Sequence, residues 1–464
     1  MRYDTQDMRN FRLSKSKIIS GLQCSKRLWL ETHHREYGAF SEQTQFMFAS
    51  GNRVGEVARD LYPGGVLIES QRNLSAALRQ TEDLLAGSGD VVLFEPAFRH
   101  LDVLIRADIL VRAGGSTRLV EVKSATSVKE YHLTDAAVQA WVVVGSGQAV
   151  DGFAVAHIDS DFVYPGSGDY RGLLREVAVD VEIDARIGAI AGTVTGLRAM
   201  LANPIPAITT GAHCRQPFEC PFMAWCTARE TAASGLFAAP EPVFAPSRDY
   251  LDEAAAAEAL AGLGWPLFYL DFETVQFAVP VWAGTRPYEQ LPFQWSCHVE
   301  SSAAEIEHRE FLDLSGDPPM RAFSESLLAA LGDSGPVFVY SSFEASRLRE
   351  LAARYPDLAD GLEALCARLV DLLPVVRTAY AHPGLNGSLS LKAVLPTIAP
   401  DLDYEQLGEI RDGLRAQQAY LEALGLIGEE SGIRREELRT GLIAYCAQDT
   451  LALVRLLGFL RGAD

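Results

Sequence analysis

The chain has 464 residues, of which 48% are hydrophobic and 22% are charged, so it is long enough for two or three domains with apolar cores. No run of roughly 18 consecutive apolar residues and no apolar signal-peptide segment is found, which excludes a membrane protein and predicts a cytoplasmic one. The formal net charge of −20 excludes a protein that coats nucleic acid without specificity.

Charge is distributed unevenly along the chain. Residues 1–230 hold 24 basic and 27 acidic side chains, whereas residues 231–464 hold 17 and 34. The change falls in a stretch rich in Ala, Pro, Ser and Gly, which is typical of a linker. We therefore predict a first domain over 1–232, a linker over 233–262 and a second domain over 263–464.

Hydrophobic spacing predicts the elements of both halves. In the first half it indicates helices over 14–29, 46–61 and 134–144, and strands over 91–94, 101–110 and 118–122. Gly114-Gly115 is a hairpin signal between the last two strands. In the second half, strands over 267–272, 293–299 and 336–340 precede or alternate with helices over 320–331, 343–355 and 439–458. Both halves are thus α/β, with a mixed sheet in the second.

Four cysteines bracket the first half. Cys24 stands alone, and Cys214, Cys220 and Cys226 follow with five residues in each gap. Four thiolates are the usual ligands of an iron–sulfur cluster. Zinc is an alternative, although its sites usually contain a closer cysteine pair, and unrelated packing cysteines are a third reading. The remaining three, Cys297, Cys366 and Cys446, have apolar or mixed surroundings and are predicted to be packing residues.

The first half also carries a carboxylate–lysine pattern. Asp108 lies in VLIRADILV, and Glu121 and Lys123 lie two residues apart in RLVEVKS, so they share one strand face. Two carboxylates can hold a divalent cation that activates water, and the lysine can stabilise a phosphate in the transition state. Exposed alternating charge on a strand is the alternative interpretation.

With the cysteines, these residues make positions 1–230 resemble PD-(D/E)xK nucleases, most closely RecB-type nucleases with an iron–sulfur staple, such as the AddB class and CRISPR-associated adaptation exonucleases. The resemblance implies a restriction-endonuclease-like fold, with Asp108 and Glu121 binding Mg²⁺ or Mn²⁺ and with Lys123 and Gln139 as catalytic residues. Val143 stands at the tyrosine of the relatives' Q-x3-Y motif. No histidine occurs in Gly51–Arg59, where many relatives have a metal ligand, and Glu95 is the candidate replacement. A 4Fe–4S cluster is implied on the following four residues: Cys24, Cys214, Cys220 and Cys226.

A second acidic pattern lies in the second half. LFYLDFET places Asp271 and Glu273 on one strand face, and Glu344 stands where a strand precedes a helix. Tyr445 and Asp449 are four residues apart, on one face of a helix. Four carboxylates can hold two metal ions about 4 Å apart, and a neighbouring tyrosine can orient water. A polar strand face and a solvated helix are the alternative.

Residues 265–460 resemble the DnaQ-like, or DEDD, 3′–5′ exonucleases of the ribonuclease H fold, in the subtype that ends on Y-x3-D. The resemblance implies that Asp271, Glu273, Glu344 and Asp449 bind Mg²⁺ or Mn²⁺, and that Tyr445 orients water. Glu344 replaces the family's usual aspartate. Asp371 is predicted to support the site, and Lys392, in an SLK stretch also found in relatives, to face nucleic acid.

Together the two resemblances predict a metal-dependent nuclease, acting as a DNA exonuclease in repair, recombination or defence against foreign DNA. Single strands or DNA ends are the expected substrates, and RNA is possible because DEDD enzymes degrade both polymers. The alternatives are a 3′–5′ exoribonuclease, or a DNA-binding scaffold subunit in which one nuclease core is degenerate.

Overall fold

The structure is a computed structural model that describes residues 11–69, 73–234, 250–302, 305–428 and 431–462. These residues form a mixed α/β protein with two compact units. The first unit runs to Phe237 and also includes Phe277–Tyr288, and the second comprises Ala238–Gln276 and Glu289–Asp464. Residues 235–249 of the predicted linker lie outside the described residues.

The first unit contains both short and long strands. Its strands are β1 (Leu13–Ser14), β2 (Val66–Leu67), β3 (Val91–Phe94), β4 (Ala97–His100), β5 (Val103–Arg106), β6 (Ile109–Ala113), β7 (Ser116–Lys123), β8 (Gly152–Ile158) and β9 (Leu174–Ala178). Its helices are α1 (Lys15–Gln23), α2 (Ser25–His33), α3 (Glu42–Asp60), α4 (Leu74–Leu85), α5 (Glu130–Gly145), α6 (Asp180–Leu201) and α7 (Met223–Ser234).

The main sheet of this unit has the order β2-β3-β6-β7-β8-β9. Strands β6 and β7 form an antiparallel hairpin, and Gly114 and Gly115 at its turn have φ of 59° and 84°, a backbone region that favours glycine. Helix α5 then leads to β8, which pairs parallel to β7. The hairpin thus brings the Glu121 and Lys123 strand beside the strand that follows Asp108.

Two sequence predictions for this unit are wrong in detail. The predicted strand over 101–110 is two strands, because β5 pairs with β4 in a small sheet whereas β6 pairs with β3 and β7 in the main one. Asp108 lies where the chain passes from the small sheet to the main one. The pattern of apolar residues does not show with which neighbouring strand a segment pairs. The predicted helix over 14–29 is two helices, because Cys24 between them is extended, with φ −160° and ψ 117°.

The second unit is built on longer strands. Its strands are β10 (Tyr250–Leu251), β11 (Leu267–Val275), β12 (Leu291–Glu300), β13 (Ile306–Leu312), β14 (Val337–Val339), β15 (Leu369–Asp371) and β16 (Tyr380–Ala381). Its helices are α8 (Glu253–Ala259), α9 (Met320–Leu331), α10 (Phe343–Arg354), α11 (Ala359–Cys366), α12 (Leu372–Ala379), α13 (Leu391–Ile398), α14 (Gly413–Ala423) and α15 (Gly432–Leu460).

Its main sheet has the order β13-β12-β11-β14-β15. Strands β11, β12 and β13 pair antiparallel, whereas β14 and β15 run parallel to β11. The central β11 and helix α15 share a core that includes Tyr269 and Leu453. The β11–β12 register shifts between Glu273 and Thr274, and such bulges re-aim side chains near active sites.

Helix α15 is the one described helix that is long and apolar enough to cross a membrane by length and composition. Half of its most apolar window is buried in the fold, and it carries Asp449, which is 8% exposed. A partly buried core helix passes the same test of length and composition, so this single helix is weak evidence for a membrane span.

Candidate functional site

Strand β11 places two carboxylates at the centre of a group of potential metal ligands. One ligand atom each from Asp271, Glu273 and Cys446 lies within 4.8 Å of the other two. The Cys446 thiol lies 3.6 Å from Oδ2 of Asp271, to which it can donate a hydrogen bond. Cys446 is fully buried, as expected of a packing residue, and helix α15 also turns its thiol toward the acidic strand face.

Helix α15 contributes Asp449 and Tyr445 to the same group. Tyr404 donates a 2.5 Å hydrogen bond to Oδ1 of Asp449. Lys392 donates 2.8 Å hydrogen bonds to the Tyr445 hydroxyl and to the carbonyl of Arg411. Its ammonium also lies 4.9 Å and 4.7 Å from the ring centres of Tyr404 and Tyr445. Lys392 is thus tied to the two tyrosines.

Glu344, in the first turn of α10, is only 3% exposed. Its Oε2 has no hydrogen-bond partner within the described part of the chain. The negative charge of Glu344 contributes to raising the pKa values of both Asp271 and Glu273, so the three carboxylates interact. A buried carboxylate oxygen without a donor is costly, and a cation would satisfy it.

Asp371 has a different role at the end of β15. One of its oxygens accepts hydrogen bonds of 2.9 Å from the backbone N–H groups of Ser341 and Leu373. It therefore caps α12 and holds the turn that leads into α10.

The carboxyl groups of Asp271, Glu273 and Glu344 resist ionisation in the absence of a metal ion. Burial, followed by the charge of Asp449, raises the pKa of Glu273 to about 8, although Lys392 opposes the rise. Burial and Asp371 raise the pKa of Glu344 to about 7. Burial and the charges of Asp449 and Glu273 hold the pKa of Asp271 well above its usual range. Like charges repel each other strongly where water is excluded, and a bound divalent cation relieves that repulsion.

The first unit brings together Glu121, Lys123 and Gln139, as the sequence suggested, and adds two residues. Lys123 donates 2.5 Å hydrogen bonds to Oε1 of Glu121 and to Oδ2 of Asp135, and Gln139 donates to Oε2 of Glu121. Lys15, from the first turn of α1, also reaches Oε1 of Glu121 at 2.8 Å and lies 3.4 Å from Asp135. Sequence reasoning missed Lys15 and Asp135, because no spacing links them to Glu121.

Both oxygens of Glu121 therefore accept hydrogen bonds from protein groups. Burial opposes its charge, but Lys123 and Lys15 outweigh burial and hold the pKa of Glu121 well below its usual range. Burial and Glu121 raise the pKa of Asp108 to about 8. Two ammonium groups, Lys15 and Lys123, thus act on Glu121, whereas in the second unit Lys392 acts on Glu273 and Asp449, and Arg347 acts on Glu344.

Asp108 and Glu95, the other two ligands predicted in the first unit, lie at the change of sheet. Oδ2 of Asp108 accepts a 2.7 Å hydrogen bond from the N–H of Val122, which holds it against β7. The backbone N–H of Glu95 bonds the carbonyl of Asp108 at 3.0 Å. The Glu95 carboxylate is paired with Arg106 at 3.2 Å. Glu95 is thus close to Asp108 along the backbone, with its side chain engaged by an arginine.

The four bracketing cysteines lie in one region of the first unit. Cys214, Cys220 and Cys226 are buried in a common apolar cluster with Leu30 and Phe222. Burial raises the pKa of Cys220 to about 11, and Cys214 and Cys24 are among the neighbours that add to the rise. All four thiols are free of disulfides.

A family model described as a domain of unknown function, DUF2779, matches residues 268–390. The match covers less than half of the chain. It includes Asp271, Glu273 and Glu344, and it ends before Tyr445 and Asp449. No curated protein matches the chain.

Proposed function

We propose that this protein is a cytoplasmic, metal-dependent nuclease whose second unit is a 3′–5′ exonuclease acting on DNA ends or single strands. One observation carries the proposal. Carboxylates from β11, α10 and α15 interact in one place, with Tyr445 and its Lys392 contact beside them. Carboxylates converging from separate elements are what a two-metal phosphodiesterase needs.

The topology of each unit supports the fold that this function requires. In the second, a central β11 with antiparallel neighbours on one side and parallel strands on the other supports a ribonuclease H-like domain. In the first, the β6–β7 hairpin followed by α5 and the parallel β8 supports a PD-(D/E)xK-like domain. In each case the acidic residues lie on or beside the central hairpin strands.

The residues of the second unit fit a pair of divalent cations. Mg²⁺ or Mn²⁺ held by Asp271, Glu273, Glu344 and Asp449 would supply an activated water and charge stabilisation at the leaving oxygen. Tyr404 keeps Asp449 in place through its hydrogen bond. Lys392 donates to the Tyr445 oxygen, and the Tyr445 hydroxyl in turn donates to the Asp449 carboxylate.

For the first unit we propose a nuclease-like core that binds DNA and is closed by a 4Fe–4S cluster on Cys24, Cys214, Cys220 and Cys226. The donor set of four free thiols, three of them buried in one apolar cluster, supports the iron–sulfur cluster. The saturation of Glu121 by Lys15, Lys123 and Gln139 favours a core that grips phosphates over one that binds metal tightly. The first unit would then act as a DNA-binding scaffold with a degenerate nuclease core, while the second unit would carry the catalytic activity.

The test is a panel of substrates. Single- and double-stranded DNA and RNA, labelled at the 5′ end, are incubated with the full chain and Mg²⁺ or Mn²⁺. We expect a ladder of products shortened from the 3′ end of DNA, abolished by EDTA. Shortened products from RNA alone would show that RNA, and not DNA, is the substrate. If every substrate remained intact, the proposal would be overturned.

A further inference from the structure

We infer that Asp271, Glu273 and Cys446 form a binding site for a thiophilic divalent cation, Zn²⁺ or Cd²⁺, which would exclude Mg²⁺ or Mn²⁺ from the proposed exonuclease centre. The inference deepens the proposed function, because it concerns inhibition of that same centre. The site itself is defined by ligand chemistry that can be measured without nucleic acid.

The geometry of the three ligand atoms suits such an ion. They lie within 4.8 Å of one another, and the Cys446 sulfur is 3.6 Å from Oδ2 of Asp271. In a tetrahedral zinc site, a sulfur at about 2.3 Å and an oxygen at about 2.0 Å from the ion are about 3.5 Å apart. The observed separation therefore requires little movement of either side chain.

Glu344 is the independent observation that points to a cation at this place. It is 3% exposed, and its Oε2 has no hydrogen-bond partner in the described residues. Asp271, Glu273 and Cys446 supply three ligands, and a water molecule can take the fourth position of a tetrahedral ion. Oxygen-rich sites with one thiolate accept Zn²⁺ and Cd²⁺.

The thiol is what makes the site selective. Mg²⁺ takes oxygen ligands in octahedral geometry and gains nothing from sulfur, whereas Zn²⁺ and Cd²⁺ bind thiolate strongly. Both classes of ion would compete for Asp271 and Glu273, but only the thiophilic ion would recruit Cys446. The chain would then be inhibited by low concentrations of zinc even in excess magnesium.

The other cysteines of this unit provide a contrast. The Cys297 thiol donates to the carbonyl of His298 at 3.3 Å, and the Cys366 thiol lies 3.9 Å from the carbonyl of Ala345. Both contacts are to backbone oxygens, so neither thiol has the carboxylate neighbours of Cys446. Cys366 is the matched control, because it is a free thiol of the same unit.

The experiment titrates the full chain with CdCl₂ and records the ultraviolet thiolate-to-cadmium absorption, with proton release measured in parallel. The four cysteines of the first unit contribute a constant background, so each variant is compared with the wild-type chain. We expect Cys446→Ser to lose one thiolate–cadmium contribution and one released proton, and to bind the corresponding Cd²⁺ at least about 10-fold more weakly. Cys366→Ser should match the wild-type chain.

A second variant keeps the test decisive if Cys446→Ser folds poorly. Asp271→Asn leaves the thiol in place but removes its carboxylate partner, and it should lose the same cadmium contribution. Equal cadmium absorption and proton release in the wild-type chain, Cys446→Ser and Asp271→Asn would overturn the inference. If the cadmium site is present but the chain cleaves no nucleic acid, the proposed function fails and the metal site stands.

Discussion

The Tyr404 hydroxyl donates a 2.5 Å hydrogen bond to Oδ1 of Asp449, and Lys392 lies over the Tyr404 ring. The bond helps to fix the orientation of a carboxylate that is 8% exposed and that also accepts a hydrogen bond from Tyr445. Partners of this kind orient metal ligands, and their removal typically weakens metal binding about 10- to 100-fold. Tyr404 therefore belongs to the candidate metal centre although it binds no metal itself.

Replacing Tyr404 with Phe should weaken Mn²⁺ binding about 10-fold, because Asp449 loses the donor that orients it. Calorimetric titration of the full chain with MnCl₂ measures the change. The matched control is Tyr420→Phe, since the buried Tyr420 hydroxyl has no hydrogen-bond partner among the described residues. Equal Mn²⁺ affinity of Tyr404→Phe and Tyr420→Phe would show that the hydrogen bond does not support the metal centre.

The metal-free protein should become less stable as the pH rises from about 4.5 to about 8. The folded-state pKa of Glu273 is raised from its usual 4.5 to about 8, so the folded protein binds more protons than the unfolded one in that window. The free energy of unfolding then falls with increasing pH, by about 1.4 kcal/mol for each pKa unit of the rise. Melting curves in EDTA measure it.

Two controls isolate this effect from other titrating groups. Glu273→Gln should flatten the pH dependence relative to the wild-type chain, because the glutamine carries no charge at any pH. Saturating Mg²⁺ should restore stability at pH 8 in the wild-type chain and restore less of it in Glu273→Gln. If the melting temperature falls equally with pH in both proteins, Glu273 does not cause the pH dependence of stability.

Lys123→Ala tests whether the first unit cleaves DNA, provided that the second site is first silenced by Asp271→Asn. If the first core is catalytic, its residual cleavage should fall about 100-fold, because a charge aimed at the scissile phosphate is lost. Lys17→Ala, on the helix that carries Lys15, is the control and should change little. If Lys123→Ala leaves the residual cleavage unchanged, the first unit binds DNA but does not cleave it.

Freshly purified protein should be brown and contain iron, because four free thiols are proposed to hold a 4Fe–4S cluster. Cys220→Ser should lose most of the iron and lower the melting temperature, since cluster binding is coupled to folding. Cys366→Ser should retain both. A colourless protein prepared without oxygen that contains only zinc would contradict the cluster.

Much of the second site could be predicted because its residues follow regular patterns. Asp271 and Glu273 end a run of buried residues with a strand period, and Tyr445 and Asp449 share a helix face. Strand β3 and helix α9 have the predicted bounds, since β3 is a short apolar run between Asp90 and Glu95, and α9 repeats apolar residues at helical spacing. Local periodicity was sufficient for these elements.

What the sequence could not reveal depends on contacts between distant segments. Tyr404 and Lys15 reach their acidic partners from elements 45 and 106 residues away, and no spacing rule connects them. Cys446 was assigned to packing because its neighbours in sequence are mixed, and only the placement of α15 beside β11 turns it toward Asp271. The break at Cys24 likewise reflects a backbone conformation that the helical pattern of its neighbours conceals.

The most direct test of the central claim is the rate at which the full chain shortens a 5′-labelled single-stranded DNA in Mn²⁺, compared with that of Asp271→Asn. Asp271 lies beside Cys446, and the charges of Asp449, Glu273 and Glu344 raise its pKa, so its loss should remove metal from the centre and lower the rate about 1,000-fold. Tyr445→Phe should cost far less, because metal ions alone can still hold the water. An Asp271→Asn protein that degrades this DNA from the 3′ end as fast as the wild-type chain would contradict the account.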